Sequence, residues 1–206
     1  MRTPPQQKRS LHTQERLLDA MKALLEEREA DDISVEDIVE RAGLSVGAFY
    51  KRFFSKADLL PLLYTRLQIT GRQALQAELA DSKWNGRGLV ERIDALLDLV
   101  AEAHRQNYRV IRACISAHYN ASLDLNPAEL EAAREHMMGM MGNWLLACRD
   151  EIRHENPALA VRCGLYMCLQ TLQTTLLFKP LTLSADRNEI VTEAKRMLVR
   201  YLTARS

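Results

Sequence analysis

Residues 34–59 read Ser-Val-Glu-Asp-Ile-Val-Glu-Arg-Ala-Gly-Leu-Ser-Val-Gly-Ala-Phe-Tyr-Lys-Arg-Phe-Phe-Ser-Lys-Ala-Asp-Leu. Ser34, with Asp37 three residues on and the apolar pair Ile38 and Val39 behind it, is an N-cap with a reciprocal acidic partner. A helix is therefore predicted from about Val35 to Ala42. Gly43 ends it, since a left-handed residue without a Cβ closes a helix at no steric cost, and Ser45 caps the next. Two helices joined by so short a turn cross steeply, as in a DNA-binding helix-turn-helix.

The second helix, expected from Val46 to about Phe53, opens with Val46, Gly47 and Ala48, where most surface helices carry Glu, Lys or Gln. Small side chains there suit close approach to DNA. Val46 and Ala48 fit a thymine methyl, and Gly47 lets the backbone near a phosphate. Phe49 and Phe53, four apart, anchor the helix in the core and turn Tyr50 and Arg52 outward. Ser55 and Asp58 mark a third helix start with Lys56 inside it, where a cation opposes the helix dipole, so Lys56 reads as a phosphate ligand. From Arg41 to Lys56 the charged residues are Arg41, Lys51, Arg52 and Lys56, with no Asp or Glu. A helical hairpin with a merely solvated basic face shares this periodicity. The turn glycine, the three caps and the bare leading edge together favour DNA binding.

At Ala42, Gly43, Leu44, Ser45, Gly47, Phe49, Tyr50, Phe53, Ser55, Lys56 and Leu59 the sequence resembles the tetracycline-repressor (TetR) family of bacterial regulators. The resemblance covers about the first quarter of the chain. It implies phosphate contacts from Ser34, Ser45, Tyr50 and Lys56, and base or groove contacts from Val46, Gly47 and Ala48. Lys51 and Arg52 join the candidate DNA-binding set, although Arg52 stands where members often carry histidine and Lys51 where many carry an aromatic or another basic residue.

With 206 residues, 47% hydrophobic and 27% charged, the chain has enough apolar content for a soluble globular fold of one or two domains. Its net charge of +1 says little about partners, because Glu26, Glu27, Glu29, Asp31 and Asp32 offset a basic face elsewhere. Met1–Ser10, with Arg2, Lys8, Arg9, Pro4 and Pro5, is expected to be a mobile arm, either following a minor groove or simply solvated. It is no signal peptide, and no apolar run is long enough to cross a bilayer, so a cytoplasmic protein is expected. Cys114, Cys148, Cys163 and Cys168 lie in apolar-periodic segments without zinc-ligand spacing. They read as buried small hydrophobes, with a thiol sensor as the lesser alternative.

Outside the motif the stripes are helical throughout, predicting an all-α chain of about nine helices and no strand. Leu17, Leu18, Met21, Leu24 and Leu25 form a first helix completing a three-helix domain. Leu59, Leu60, Leu63 and Leu67 begin a long helix reaching about Ala80, and Asp81–Gly88 is a loop. Separate helices are expected around Leu89–Val100 and Tyr108–His118. Asn126-Pro127 opens another, running to about Arg153, and Asn156-Pro157 one more to about Phe178, stopped at Lys179-Pro180. Asp186 caps the last. The expected division is residues 1–56, a helix-turn-helix DNA-binding domain with its basic arm, and residues 57–206, a larger helical domain for effector binding and dimerisation.

The last two helices carry apolar residues on more than one face and so need two partners. Leu165, Leu169, Leu172, Leu176, Ile190 and Met197 are assigned to a two-fold interface, and the resemblance implies a four-helix dimer contact there. Met137, Met138, Met140, Met141 and Trp144 form a methionine-rich stripe, which ordinary core packing explains by itself. The resemblance adds an inducer pocket, with Cys114, His118, Met137, Met141, Trp144, Tyr166 and Gln170 as candidate lining for a mostly apolar small molecule.

The expected function is a ligand-responsive transcriptional regulator: a homodimer released from a palindromic double-stranded operator by its effector, with no catalytic residues, metal or cofactor. One alternative is a DNA-binding dimer without an effector. The other, a helical-bundle enzyme, rests on one Glu-x-x-His, Glu151 to His154, where a di-iron site needs two such motifs and two further carboxylates.

Overall fold

A computed structural model of the chain describes residues 5–119, 127–177 and 186–204. Among the described residues there are eight α-helices and no strand: α1 (Pro5–Glu27), α2 (Val35–Ala42), α3 (Val46–Tyr50), α4 (Leu59–Leu79), α5 (Leu89–Tyr119), α6 (Pro127–Leu146), α7 (Pro157–Leu177) and α8 (Arg187–Thr203). Short 3-10 turns stand at Ala30–Asp32, Lys56–Asp58, Ser82–Trp84 and Arg149–Glu151. The count is one below the expected nine because Leu89–Val100 and Tyr108–His118 are one continuous 31-residue helix. No glycine or proline lies between them, and nothing local stops the helix.

Three boundaries also shift. The arm expected at Met1–Ser10 is helical from Pro5, where proline suits a first helical turn, and Met1–Pro4 lie outside the described residues. Helix α3 ends at Tyr50 rather than Phe53, with Lys51 and Arg52 in a turn. Helix α6 ends at Leu146 and is followed by the turn at Arg149–Glu151. The caps behave as their chemistry requires. Asn156 Oδ1 accepts from the Leu159 N–H at 3.1 Å, and Asp186 and Glu189 form a reciprocal box at the start of α8. The expected cap at Asn126 and the stop at Lys179-Pro180 fall outside the described residues.

The chain forms two compact units. The first takes the residues up to Leu67 and the stretch of α5 from Arg109; the second takes Gln68–Tyr108 and the residues from Asn126 onward. In the first unit α1 packs on α2 and α2 on α3, burying Leu17, Met21, Leu24, Leu25, Ile33, Ile38 and Phe49. The terminal part of α5 adds Val110 and Cys114 to the buried set, and Arg109 and Arg112 pair with Glu29. In the second unit α7 packs on both α6 and α8. Leu96, Leu97, Leu145, Leu165, Leu172 and Leu198, all at or below 1% exposure, form its core. Gly164 of α7 lets side chains of α8 pack closely over it, since a Cβ there would lie 2.6 Å from Leu198 Cδ1 and 3.2 Å from Tyr201 Cδ1.

Candidate functional site

The turn between α2 and α3 is built from short-range contacts. The Ser34 hydroxyl accepts from the Asp37 N–H at 3.1 Å, and the Asp37 carboxylate accepts from the Ser34 N–H at 2.8 Å. The Ser34 hydroxyl also donates to that carboxylate at 2.8 Å. The Ser34 N–H and hydroxyl, with Arg28 behind them, hold the Asp37 carboxyl down to about 2, below the usual carboxylate range. Gly43 takes φ 62° and ψ 42°, and its N–H reaches the Glu40 carbonyl at 3.0 Å. Arg16 of α1 donates to the carbonyls of Ala42 and Gly43, so a Cβ at Gly43 would meet that guanidinium at 2.9 Å. Glycine is demanded at this position by the left-handed dihedral, and a Cβ would in addition displace the end of the Arg16 side chain.

Ser45 caps α3 by accepting from the Ala48 N–H at 3.2 Å. The leading edge of α3 is open: Val46 is 38% exposed, Gly47 is exposed and Ala48 is half-buried. Phe49 is fully buried, with its ring 5.6 Å from Phe53 and edge-on to Tyr50 at 5.3 Å. That packing props Tyr50 up on the helix, where it stays half exposed.

The cations are arranged differently from the expectation. Lys56 is not a free phosphate ligand, because its ammonium lies 2.7, 3.2 and 2.6 Å from the carbonyls of Ala30, Asp31 and Ile33. All three ammonium protons then face protein acceptors, and the lysine ties the turn after α3 to the turn after α1. Arg41 forks onto the Glu27 carboxylate at 2.7 and 2.9 Å. Arg52 folds back to the Ala48 carbonyl at 3.2 Å, and its Nε is buried without a partner. Lys51 alone, of the cations from Arg41 to Lys56, is exposed with no acceptor among the described residues. Ser34 has its N–H and hydroxyl committed to Asp37, whereas the Ser45 and Tyr50 side chains remain exposed. No Asp or Glu lies between Arg41 and Lys56, which is why these cations look unpaired in sequence; their acceptors lie 4 to 26 residues away.

Replacement of Lys56 by Met keeps the aliphatic stem and removes the ammonium from three carbonyls, two of them in part-buried bonds. The expected loss is about 2 kcal/mol of folding stability, read as a lowered denaturant midpoint with an unchanged slope. An unchanged midpoint would show that the ammonium does not hold the two turns together.

Of the candidate effector residues, Cys114 falls in the first unit and Met137, Met141, Trp144, Tyr166 and Gln170 in the second. Met141 is buried in the core of the second unit, with Met137 and Trp144 packed against it, so the methionine stripe is core packing. Trp144 stacks edge-on with Trp84 at 5.1 Å and lies under the Arg92 guanidinium at 4.9 Å. Cys114 belongs to the first unit, buried, with its thiol directed at the Leu60 carbonyl at 3.4 Å. Tyr166 and Gln170 are exposed on α7, and the side chain of His118 lies outside the described residues. Two surface hollows, one beside Arg16, Asp19 and Arg41 and one beside Arg149 and Asn156, involve none of these candidates.

The faces of α7 and α8 are also reversed. Leu165 and Leu172 are fully buried within the chain and Ile190 nearly so, while Leu169 is only partly covered. Of the expected interface residues, Met197 is exposed and the side chain of Leu176 lies outside the described residues. The apolar surface is instead Leu159, Tyr166 and Met167 on α7 with Met197 and Tyr201 on α8, which the sequence reading had not assigned to an interface apart from Met197. Two opposed apolar stripes are indistinguishable by periodicity; exposed Tyr and Met beside buried Leu was the available clue.

Glu151 holds the start of a helix. Its carboxylate accepts from the Leu89 N–H at the start of α5, with both oxygens at 3.1 Å, while the His154 ring packs toward Tyr201 at 5.7 Å. No cluster of three metal-ligating side chains occurs among the described residues. Burial pushes the Cys114 thiol up to about 12 and raises those of Cys148 and Cys168, which makes all three poor thiolates. No helix among the described residues is long and apolar enough to cross a membrane.

Residues 17–63 match the model for bacterial regulatory proteins of the tetR family, and residues 89–202 match that for the tetracyclin repressor-like C-terminal domain. Over 57 residues the chain is 47% identical to an uncharacterized HTH-type transcriptional regulator, YwcC, of Bacillus subtilis (strain 168). That match covers 28% of this chain and spans about a quarter (26%) of the relative's length. A transcriptional regulator of the TetR/AcrR family from Thermobifida fusca YX-ER1 superposes with a TM-score of 0.64 at 19% identity, covering 90% of this chain and 96% of that one. FadR of Thermus thermophilus, a TetR-family repressor solved with lauroyl-CoA, gives a TM-score of 0.52 at 19% identity, covering 94% and 96%.

Proposed function

We propose that this chain, which belongs to the tetR family of bacterial regulatory proteins, is a cytoplasmic homodimeric repressor that leaves a palindromic operator when a small, mostly apolar molecule binds. As a member of that family it is a DNA-binding transcriptional regulator, and its family and fold are those of proteins that are not enzymes. Residues 1–56 are the DNA-binding part and residues 57–206 the effector and dimerisation part.

The observation that carries the DNA-reading face is the open front of α3. Gly47 has ordinary backbone dihedrals, and a Cβ there would find nothing closer than the Ser45 hydroxyl at 4.0 Å. Glycine inside a helix costs roughly 0.5–1 kcal/mol relative to alanine, and here no contact within the chain requires it. Close approach of a DNA backbone supplies the reason. Val46, Gly47 and Ala48 then meet the groove, Ser45 and Tyr50 meet the phosphates beside it, and Lys51 supplies the free cation.

Effector release is supported by the family and by the adaptable methionine core around Met137 and Met141, which accommodates a ligand by repacking rather than through a standing cavity. The lauroyl chain of the acyl-CoA held by the Thermus structure is an apolar group of the kind proposed.

A selection from random duplexes, followed by anisotropy titration at several salt concentrations, tests this reading. Lys51→Ala is expected to weaken binding uniformly across sequences and to reduce the magnitude of the salt slope by about one. A slope left unchanged would remove Lys51 from the interface. Failure of the wild-type chain to enrich any duplex would refute the regulatory reading.

A further inference from the structure

Phe54 is 96% exposed, whereas the next most exposed large apolar side chain among the described residues is Met197 at 65%. The backbone beneath Phe54 is well held. Its N–H donates to Asp58 Oδ2 at 2.7 Å, the Ser55 N–H donates to the same oxygen at 3.1 Å, and the Ser55 hydroxyl donates to Asp58 Oδ1 at 3.0 Å. On the other side Phe53 is buried against Phe49, and two residues on Lys56 is fastened to three carbonyls. The phenyl group is thus presented to water on a turn anchored at both ends. The turn uses only main-chain hydrogen bonds at residue 54, so any residue with an N–H would serve it. Nothing inside the chain requires a phenyl group there.

The surroundings identify the occupant. Tyr50, half exposed, and Lys51, the unpaired cation, precede Phe54 by four and three residues. From Arg41 to Leu59 the one carboxylate is Asp58, and it is occupied by the turn itself. The phenyl therefore stands in a stretch whose one carboxylate is already occupied, so nothing in its own segment repels a phosphate, and it follows directly on the residues of the proposed DNA contacts.

We infer that Phe54 is an apolar DNA contact, its ring lying against the deoxyribose and base edge of the strand beside α3 and extending the reading face beyond Tyr50. The inference rests on the DNA-binding function proposed above. Such a contact expels water from apolar surface but releases no counterion. It adds affinity without adding to the salt slope, which separates it from every lysine or arginine contact.

The test uses the full chain and a duplex recovered by the selection. F54A is expected to bind about tenfold more weakly at every salt concentration, with the salt slope of the wild type and an unchanged melting temperature for the free protein. F54L, which retains part of the apolar surface, falls between the two. With p-benzoylphenylalanine in place of Phe54, irradiation of the complex is expected to give a protein–DNA adduct. Wild-type affinity in F54A, or adducts only between protein chains, overturns the contact while leaving the regulatory function standing. A wild-type chain that binds no duplex overturns both, so the two failures are told apart by the unsubstituted protein.

Discussion

Replacement of Gly47 by Ala is expected to make the protein more stable and its DNA complex weaker. In the folded chain the added methyl meets open space, with the Ser45 hydroxyl at 4.0 Å as its nearest neighbour, so α3 gains helix propensity without strain. The gain is roughly 0.5–1 kcal/mol, read as a raised denaturant midpoint. On the operator the same methyl occupies the gap through which the backbone of α3 approaches the DNA. Overpacking of that kind costs about 2 kcal/mol, or roughly thirtyfold in affinity. Opposite signs in two measurements on one variant are hard to produce by misfolding, which would lower both. Undiminished affinity in this variant would mean that the front of α3 does not touch DNA, and the proposed reading face would fall with it. A loss of stability would point instead to an internal use of the space beside Gly47.

Residues 34–59 were legible because the interactions that shape them are short in sequence. Ser34 meets Asp37 and Ser45 meets the Ala48 N–H, each three residues on, and Gly43 turns on its own dihedrals. Cation pairing was not legible, for the opposite reason. Lys56 finds its acceptors 23 to 26 residues back, and Arg41 finds Glu27 14 residues back. An unaccompanied positive charge in a sequence window is thus weak evidence for a polyanion, because carbonyls ending a helix or turn attract it equally well. The glycine at the front of α3 is better evidence, since its small size finds no close contact to explain it.

Burial on α7 shows a second limit. Leu165 and Tyr166 are adjacent in sequence, and both belong to apolar stripes, yet one is fully buried and the other 59% exposed. Periodicity locates stripes but not the neighbour each one meets. The partner of Leu165 is set by α6 and α8, which pack on α7 from far away in the chain. Likewise the methionines of α6 were legible as an adaptable cluster, while their closure into a core depended on Val161 and Leu165 of α7 filling the space beside them.

The dimer face yields the other large prediction. Met197 and Tyr201 are four apart on α8, and Leu159, Tyr166 and Met167 are exposed on the adjoining α7. The same helices bury Leu165, Leu172, Ala194 and Leu198 on their inner sides. A helix pair with a filled inner face and a second apolar face needs another surface, and in the proposed homodimer a copy of itself would provide one by two-fold symmetry. Substitution Met197→Glu sets two like charges near that axis but changes a side chain that is 65% exposed in the single chain. The expected result is a monomer by sedimentation equilibrium, with the near-native helical spectrum of the parent. Operator affinity then drops by on the order of a hundredfold, since one half-site no longer holds the other at high effective concentration. Charge reversal to Met197→Lys should do the same, which excludes an effect of negative charge on DNA. A dimer that survives both substitutions would place the self-association surface elsewhere and leave the exposed stripe of α7 and α8 to a different partner.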